Sequence, residues 1–137
     1  MRLCALQMSS NTNIEDNLAD IAQQLATLDH SQQQLVVLPE CCLFFGGKDQ
    51  AQLMLARKSY DTDELKIRLA ELAVKYRVFL VAGSIPVLSK QADKFTNSCF
   101  VFSPDGQVLG DYDKIHLFDV VVQDSEKNYC ESRYVKA

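Results

Sequence analysis

The sequence has no long apolar run and no cluster of basic residues. Its apolar stretches fall short of the roughly 18 residues that a membrane-spanning helix needs. Its formal net charge is -4, with 14 Lys and Arg against 18 Asp and Glu in 137 residues. Because nucleic acids and anionic membranes bind basic surfaces, we expect neither as the main partner. The N-terminal "MRLCALQMSSN" enters a strand-like segment without the layout of a signal peptide, so we expect a cytoplasmic protein.

Several motifs of metal and nucleotide sites are also missing. The five cysteines form no C-x-x-C pair and no zinc-binding spacing, and there is no H-E-x-x-H motif. The turn after the first strand, "QMSSNTN", contains no glycine that would let the backbone approach a phosphate, and no Walker A sequence occurs. These absences argue against a metal site and against a nucleotide-binding domain.

The chain instead alternates strand-like runs with amphipathic helices, which predicts an α/β fold. The run Leu35 to Leu38 is continuously apolar, as is typical of a strand covered on both faces. Before it, Asn13 can cap a helix whose apolar residues recur every three or four positions: Ile14, Leu18, Ile21, Leu25 and Leu28. This arrangement predicts a βαβ unit with two parallel strands.

The second half of the chain predicts further helices, a strand and a hairpin. A short helix is predicted within residues 49–60, and Leu65, Leu69, Leu72 and Tyr76 share one face of a longer helix with Asp63 and Glu64 in its first turn. The segment "VFLVAGSIPV" predicts another covered strand. Two strand-like runs then flank "SPDG", a turn signal that predicts an antiparallel hairpin.

Two charged residues stand out by their positions. Glu40 follows Pro39 at the end of the buried strand, where ligands and catalytic groups collect in layered α/β folds. The alternative is that Glu40 is a solvated loop residue. Lys114 follows the second hairpin strand among aspartates, where a lysine also protects a sheet edge against aggregation. For each of these residues, position alone does not decide between a role in a site and a structural role.

Four segments in this order carry a family resemblance: "VVLPE", "VAGSIP", "NSCFVFSPDG" and "YDKIHLFD". Together they resemble the N-terminal half of the nitrilase or carbon-nitrogen hydrolase superfamily, and within it the branch of omega-amidases and deaminated-glutathione amidases. The resemblance implies that residues 1–137 form part of a four-layer αββα sandwich about twice this length. It also implies that the full-length form assembles into a homo-oligomer.

The resemblance implies site residues and a reaction. Glu40 corresponds to the family's glutamate, which acts as a general base, and Lys114 corresponds to its lysine, which stabilises an oxyanion. Glu131 in "CESRYVKA" corresponds to a second glutamate that orients the substrate or the lysine. The implied reaction converts a small linear monoamide to a carboxylate and ammonia, without metal or organic cofactor.

The family's nucleophilic cysteine is implied roughly forty residues beyond Lys114, which lies past Ala137. Cys41 and Cys42 are poor substitutes, because the neighbouring Glu40 disfavours a thiolate, and Cys130 has no matching motif. We therefore expect a domain that is truncated before its nucleophile and is inactive alone. The alternatives are a non-catalytic fragment or subunit module that pairs with a partner chain, and a generic small-ligand-binding α/β domain.

Overall fold

The protein is built around a mixed five-stranded sheet. The computed structural model describes residues 1–29, 31–47, 50–90, 93–121 and 128–137. The strand order matches the chain order: β1 (Arg2–Ala5), β2 (Gln34–Val37), β3 (Phe79–Leu88), β4 (Phe95–Phe102) and β5 (Val108–Asp113). Strands β1, β2 and β3 are parallel, and β4 is antiparallel to both of its neighbours. A second, two-stranded sheet pairs β6 (Asp119–Val121) with β7 (Asn128–Cys130).

Within these described ranges, three α-helices lie between strands: α1 (Ile14–Ala26), α2 (Ala51–Lys58) and α3 (Glu64–Tyr76). The predicted βαβ unit is confirmed, and the Asn13 side chain caps α1 by accepting a hydrogen bond from the Glu15 N–H. Asp63 was predicted in the first turn of α3, but it is the N-cap residue, one position earlier. Its carboxylate pairs with Lys66. Across the described ranges, none of the helices has the length and apolar character needed to cross a membrane.

Alternate residues of the sheet form a core with α1 and α3. Val36, Leu80 and Phe102 are buried in one cluster with Ile21 and Leu69. The intervening residues of these strands, among them Leu35, Val37, Phe79 and Val81, are only half-buried. The strand β2 was predicted to be covered on both faces; one face is fully buried, whereas the other is only half-buried. An apolar run does not specify how completely each of its two faces is covered.

The predicted hairpin is also confirmed. Strands β4 and β5 are joined by a turn in which the Gly106 N–H donates to the Ser103 carbonyl at 2.9 Å. Gly106 has a φ of +83°, a left-handed conformation that glycine adopts without strain. The hairpin matters for the site because its second strand ends immediately before Lys114.

The backbones of β3 and of the segment after β2 nearly touch at one point. A Cβ atom at Gly83 would lie 2.1 Å from the Pro39 carbonyl oxygen and 2.4 Å from that of Leu38. The pairing of β3 with β4 shifts register at this place. Only a residue without a side chain fits there, so Gly83 allows the chain to turn at Pro39 and present Glu40.

We expect Gly83→Ala to destabilise the protein by about 1–3 kcal/mol, because the atoms it would strike belong to the backbone and cannot rotate away. Gly110→Ala in β5 is the matched control, since a Cβ atom there would meet nothing within 4 Å. Urea unfolding of both variants measures the difference. Equal stability of the two variants would mean that the turn at Pro39 shifts at no cost.

Candidate active site

The structure brings together the three charged residues that the sequence singled out. The Lys114 Nζ lies 2.9 Å from the Glu40 Oε1 and 2.9 Å and 3.2 Å from the two carboxylate oxygens of Glu131. Glu40 lies in the turn after β2, Lys114 follows β5, and Glu131 begins the 3-10 helix Glu131–Arg133 after β7. We call these three residues the charged cluster. Their catalytic roles stay predictions, but their proximity is a property of the fold.

Asn97 is a fourth member of the site that sequence reasoning missed. It lies in β4 and is 3% exposed, and its Nδ2 donates to the Glu40 Oε1 at 2.8 Å. Its backbone carbonyl accepts a hydrogen bond from the Lys114 N–H at 3.0 Å. One signal was available, because asparagine is depleted in strands and here interrupts the strand-like run "FTNSCFVF".

The Glu131 carboxylate is held by backbone as well as by lysine. The Phe118 N–H donates to Glu131 Oε2 at 2.6 Å, and the Glu131 N–H donates back to the Phe118 carbonyl at 3.3 Å. The next residue, Ser132, donates its N–H to Asp119 at 2.9 Å, and this hydrogen bond lowers the pKa of Asp119. The start of β6 and the 3-10 helix are thus fastened to each other, which fixes the direction of the Glu131 side chain.

The two carboxylates keep Lys114 charged. Burial lowers the pKa of Lys114, but the hydrogen bonds and negative charges of Glu131 and Glu40 outweigh it, so that the pKa lies above its ordinary value of 10.5. The Lys114 Nζ has three carboxylate oxygens within hydrogen-bond distance, one from Glu40 and two from Glu131. A full positive charge is therefore fixed at this position throughout the neutral pH range.

The charged cluster lines a cleft of about 530 Å³. This volume is in the range of small-molecule sites, in which a few polar groups orient a ligand among apolar walls. Aromatic rings supply much of the wall: Phe45, Phe95, Phe118 and Tyr134. Within the described ranges no group of three His, Cys, Asp or Glu side chains is arranged to hold a metal ion.

The thiols beside Glu40 are poorly suited to nucleophilic attack. Burial, followed by the negative charge of Glu40, raises the pKa of Cys41, which lines the cleft. Burial raises the pKa of Cys42 to about 12, and its Sγ contacts the Ser84 carbonyl inside the core. A nucleophilic cysteine needs a lowered pKa, because the thiolate is the reactive form. The raised pKa values disfavour the thiolate form of both residues, and the identity of the nucleophile stays a prediction.

Comparison with known proteins gives matches along almost the whole chain. The family model described as carbon-nitrogen hydrolase matches residues 2–137. A deaminated glutathione amidase of Yersinia enterocolitica is 37% identical over 128 residues, which are 93% of this chain and 44% of the relative. The omega-amidase NIT2 of Homo sapiens is 32% identical over 121 residues, which are 88% of this chain and 42% of the relative. The chain thus spans less than half the length of these two relatives.

Solved structures share the architecture. The C. elegans NitFhit protein superposes with a TM-score of 0.76 at 28% identity, over 98% of this chain and 32% of that protein. Saccharomyces cerevisiae Nit3, a member of branch 10 of the nitrilase superfamily, gives a TM-score of 0.65 at 29% identity, over 81% of this chain and 42% of that protein. The mixed sheet with its helices therefore has the nitrilase-type fold, which confirms the predicted fold class.

We expect Lys114 to titrate above 10.5, and Glu131→Gln to lower its pKa because one of the two negative partners is removed. The raised pKa means that the cluster stabilises the fold fully below the unfolded lysine value of about 10.4, and that this contribution is lost as the pH rises through the folded value. A ¹³C NMR titration of labelled lysine measures both pKa values. A Lys114 midpoint at or below 10.5 in the unmodified protein would contradict the cluster geometry.

Proposed function

The chain belongs to the carbon-nitrogen hydrolase family, and from this premise we propose that it contributes the charged cluster to an enzyme that hydrolyses a small linear monoamide to a carboxylate and ammonia. The observation that carries the proposal is the Lys114 ammonium placed between two carboxylates at a small-molecule cleft. The names of the relatives, a deaminated glutathione amidase and an omega-amidase, support an amide as the bond that is cleaved.

Glu40 is suited to carry protons in this reaction. Its Oε1 accepts hydrogen bonds from Lys114 and Asn97, whereas its Oε2 makes no hydrogen bond to any residue that the structure describes. The side chain is 55% exposed, so a reacting group can reach the second oxygen. A carboxylate with one oxygen held and one oxygen open has the geometry of a general base.

The proposed first half-reaction forms a thioester. Glu40 takes the proton of a cysteine thiol while the sulfur attacks the amide carbonyl carbon, and the carbonyl oxygen becomes an oxyanion. When this intermediate collapses, the carbon–nitrogen bond breaks, Glu40 returns the proton to the nitrogen, and ammonia leaves. The thiol is the one that the family resemblance implies roughly forty residues beyond Lys114, because burial raises the pKa values of Cys41 and Cys42 and Cys130 has no matching motif.

The second half-reaction releases the acid. Glu40 takes a proton from water while the oxygen of that water attacks the thioester carbon. The carbon–sulfur bond then breaks, the carboxylic acid leaves, and the thiol recovers its proton from Glu40. Both half-reactions need only proton transfer and nucleophilic attack, so no redox group takes part.

Lys114 is suited to stabilise the oxyanion. The Lys114 Nζ has three carboxylate oxygens within 3.2 Å, and the contact with Glu131 Oε1, at 3.2 Å, is the longest of the three. An oxyanion that develops near Nζ replaces this contact at the smallest cost. Glu131 keeps its second oxygen on both Lys114 and the Phe118 N–H, so it holds the ammonium in place meanwhile.

The alternative is a non-catalytic module that pairs with a partner chain, in which the same residues have a structural role. In that case the charged cluster is an ion network that fastens β5 to the turn after β2, and it takes no part in turnover. The half-buried face of the sheet suits such pairing. A homo-oligomer and a cytoplasmic location stay predictions from the sequence under either proposal.

We expect Glu40→Gln to reduce turnover of a small linear monoamide by about 100- to 10,000-fold, because an amide oxygen is too weak a base to take the thiol proton. Ammonia release by the protein at its natural length is the measurement. Glu15→Gln is the matched control, since Glu15 is an exposed glutamate that pairs with Arg68 on α3 and lies outside the cleft. Turnover of Glu40→Gln equal to that of the control would favour the non-catalytic module.

A further inference from the structure

Two buried asparagines of this protein are bonded very differently. Asn17 is 2% exposed; its Nδ2 donates to the carbonyls of Asn11 and Leu43, and its Oδ1 accepts from the Asn11 N–H. Asn97 is equally buried, but its Oδ1 has no hydrogen-bond partner among the residues that the structure describes. A buried acceptor without a partner destabilises a fold. The hydrogen bonds of Asn17 account for its burial, whereas the stability of the fold does not account for the burial of Asn97.

Within the described part of the chain, the one side-chain hydrogen bond of Asn97 goes to the proposed general base. Its Nδ2 donates to Glu40 Oε1, the same oxygen that accepts from Lys114. The opposite orientation of the amide would place Oδ1 against a carboxylate oxygen, and two acceptors repel each other. The chemistry of Glu40 thus fixes which way the amide faces, and the orphaned acceptor is the consequence.

Asn97 also connects Glu40 to the five-stranded sheet. It lies within β4, where it pairs with Pro86 of β3, and its carbonyl accepts the Lys114 N–H. Glu40, in contrast, lies in a turn with more than half of its side chain exposed, and an exposed ion pair alone holds such a side chain weakly. A second donor from a central strand restricts the rotation of the carboxylate.

We propose that Asn97 is a positioning residue for amide hydrolysis: its amide holds Glu40 Oε1 against the sheet so that Oε2 is the oxygen presented to the thiol. The inference rests on the proposed function for the reaction, but the contact itself does not. Asn97 is not among the residues that line the cleft, so in this proposal it acts through Glu40 and not on the substrate.

The test compares Asn97→Leu with Asn17→Leu, because leucine has nearly the shape of asparagine and no polar atoms. Asn97→Leu removes an orphaned acceptor, so its urea midpoint should equal or exceed that of the unmodified protein. Its kcat should fall by about 10- to 100-fold, as expected for a misplaced base, while KM changes by less than about threefold. Asn17→Leu leaves the Asn11 N–H and the Leu43 carbonyl without the partner that Asn17 provides, so its urea midpoint should fall.

A crystal structure of Asn97→Leu supplies a readout that needs no turnover. We expect the Glu40 carboxylate to leave its present place beside Lys114. A kcat within about twofold of the unmodified value, a Glu40 carboxylate that does not move, or a loss of stability as large as that of Asn17→Leu would each overturn the proposal. If the unmodified protein hydrolyses no monoamide, the proposed function fails, and the crystal structure still decides whether Asn97 orients Glu40.

Discussion

The ammonium of Lys114 between the carboxylates of Glu40 and Glu131 is the interaction on which the site depends. It joins three parts of the chain that share no secondary structure: the turn after β2, the end of β5 and the 3-10 helix after β7. Removing either carboxylate would leave the Lys114 ammonium with fewer partners and would lower its pKa. The cluster therefore fixes both the relative positions of three segments at the cleft and the charges that line it.

The sheet makes this interaction possible by fixing the backbone beside each charged side chain. Pro39 lacks the N–H that would continue β2, and Gly83 leaves room for the turn that follows. Asn97 holds the Glu40 carboxylate with its side chain and the Lys114 backbone with its carbonyl. The carboxyl end of a parallel strand and the end of an antiparallel hairpin thus meet at one residue of β4.

Much of the fold could be predicted from hydrophobic periodicity and turn chemistry. The βαβ unit and the hairpin at "SPDG" are each specified by contiguous residues, and both are present. Strands β6 and β7 were not predicted, because three residues are too few to show an alternating pattern. The half-buried sheet face is not readable from β2 itself, since its apolar run has the same appearance whether one or both faces are covered.

The site was predictable only in part. Glu40 follows a recognisable signal, an apolar run that ends in proline, whereas Lys114 at a strand end equally suits a protected sheet edge. Their pairing came from the family resemblance, because nothing in the spacing of 74 residues predicts contact. The close approach at Gly83 and the hydrogen bond of Asn97 depend on which strands are neighbours. A single sequence does not specify which strands are neighbours, so these two contacts were not predicted.

The most direct test of the charged cluster as one catalytic unit is a double-mutant cycle of Glu40→Gln and Lys114→Met, measured as kcat/KM for a small linear monoamide in the protein at its natural length. If the two side chains act on the same transition state, the effects are strongly non-additive, and the double variant is about as slow as the slower single variant. Two independent contributions would instead multiply. A double variant whose loss equals the product of the two single losses would contradict the account.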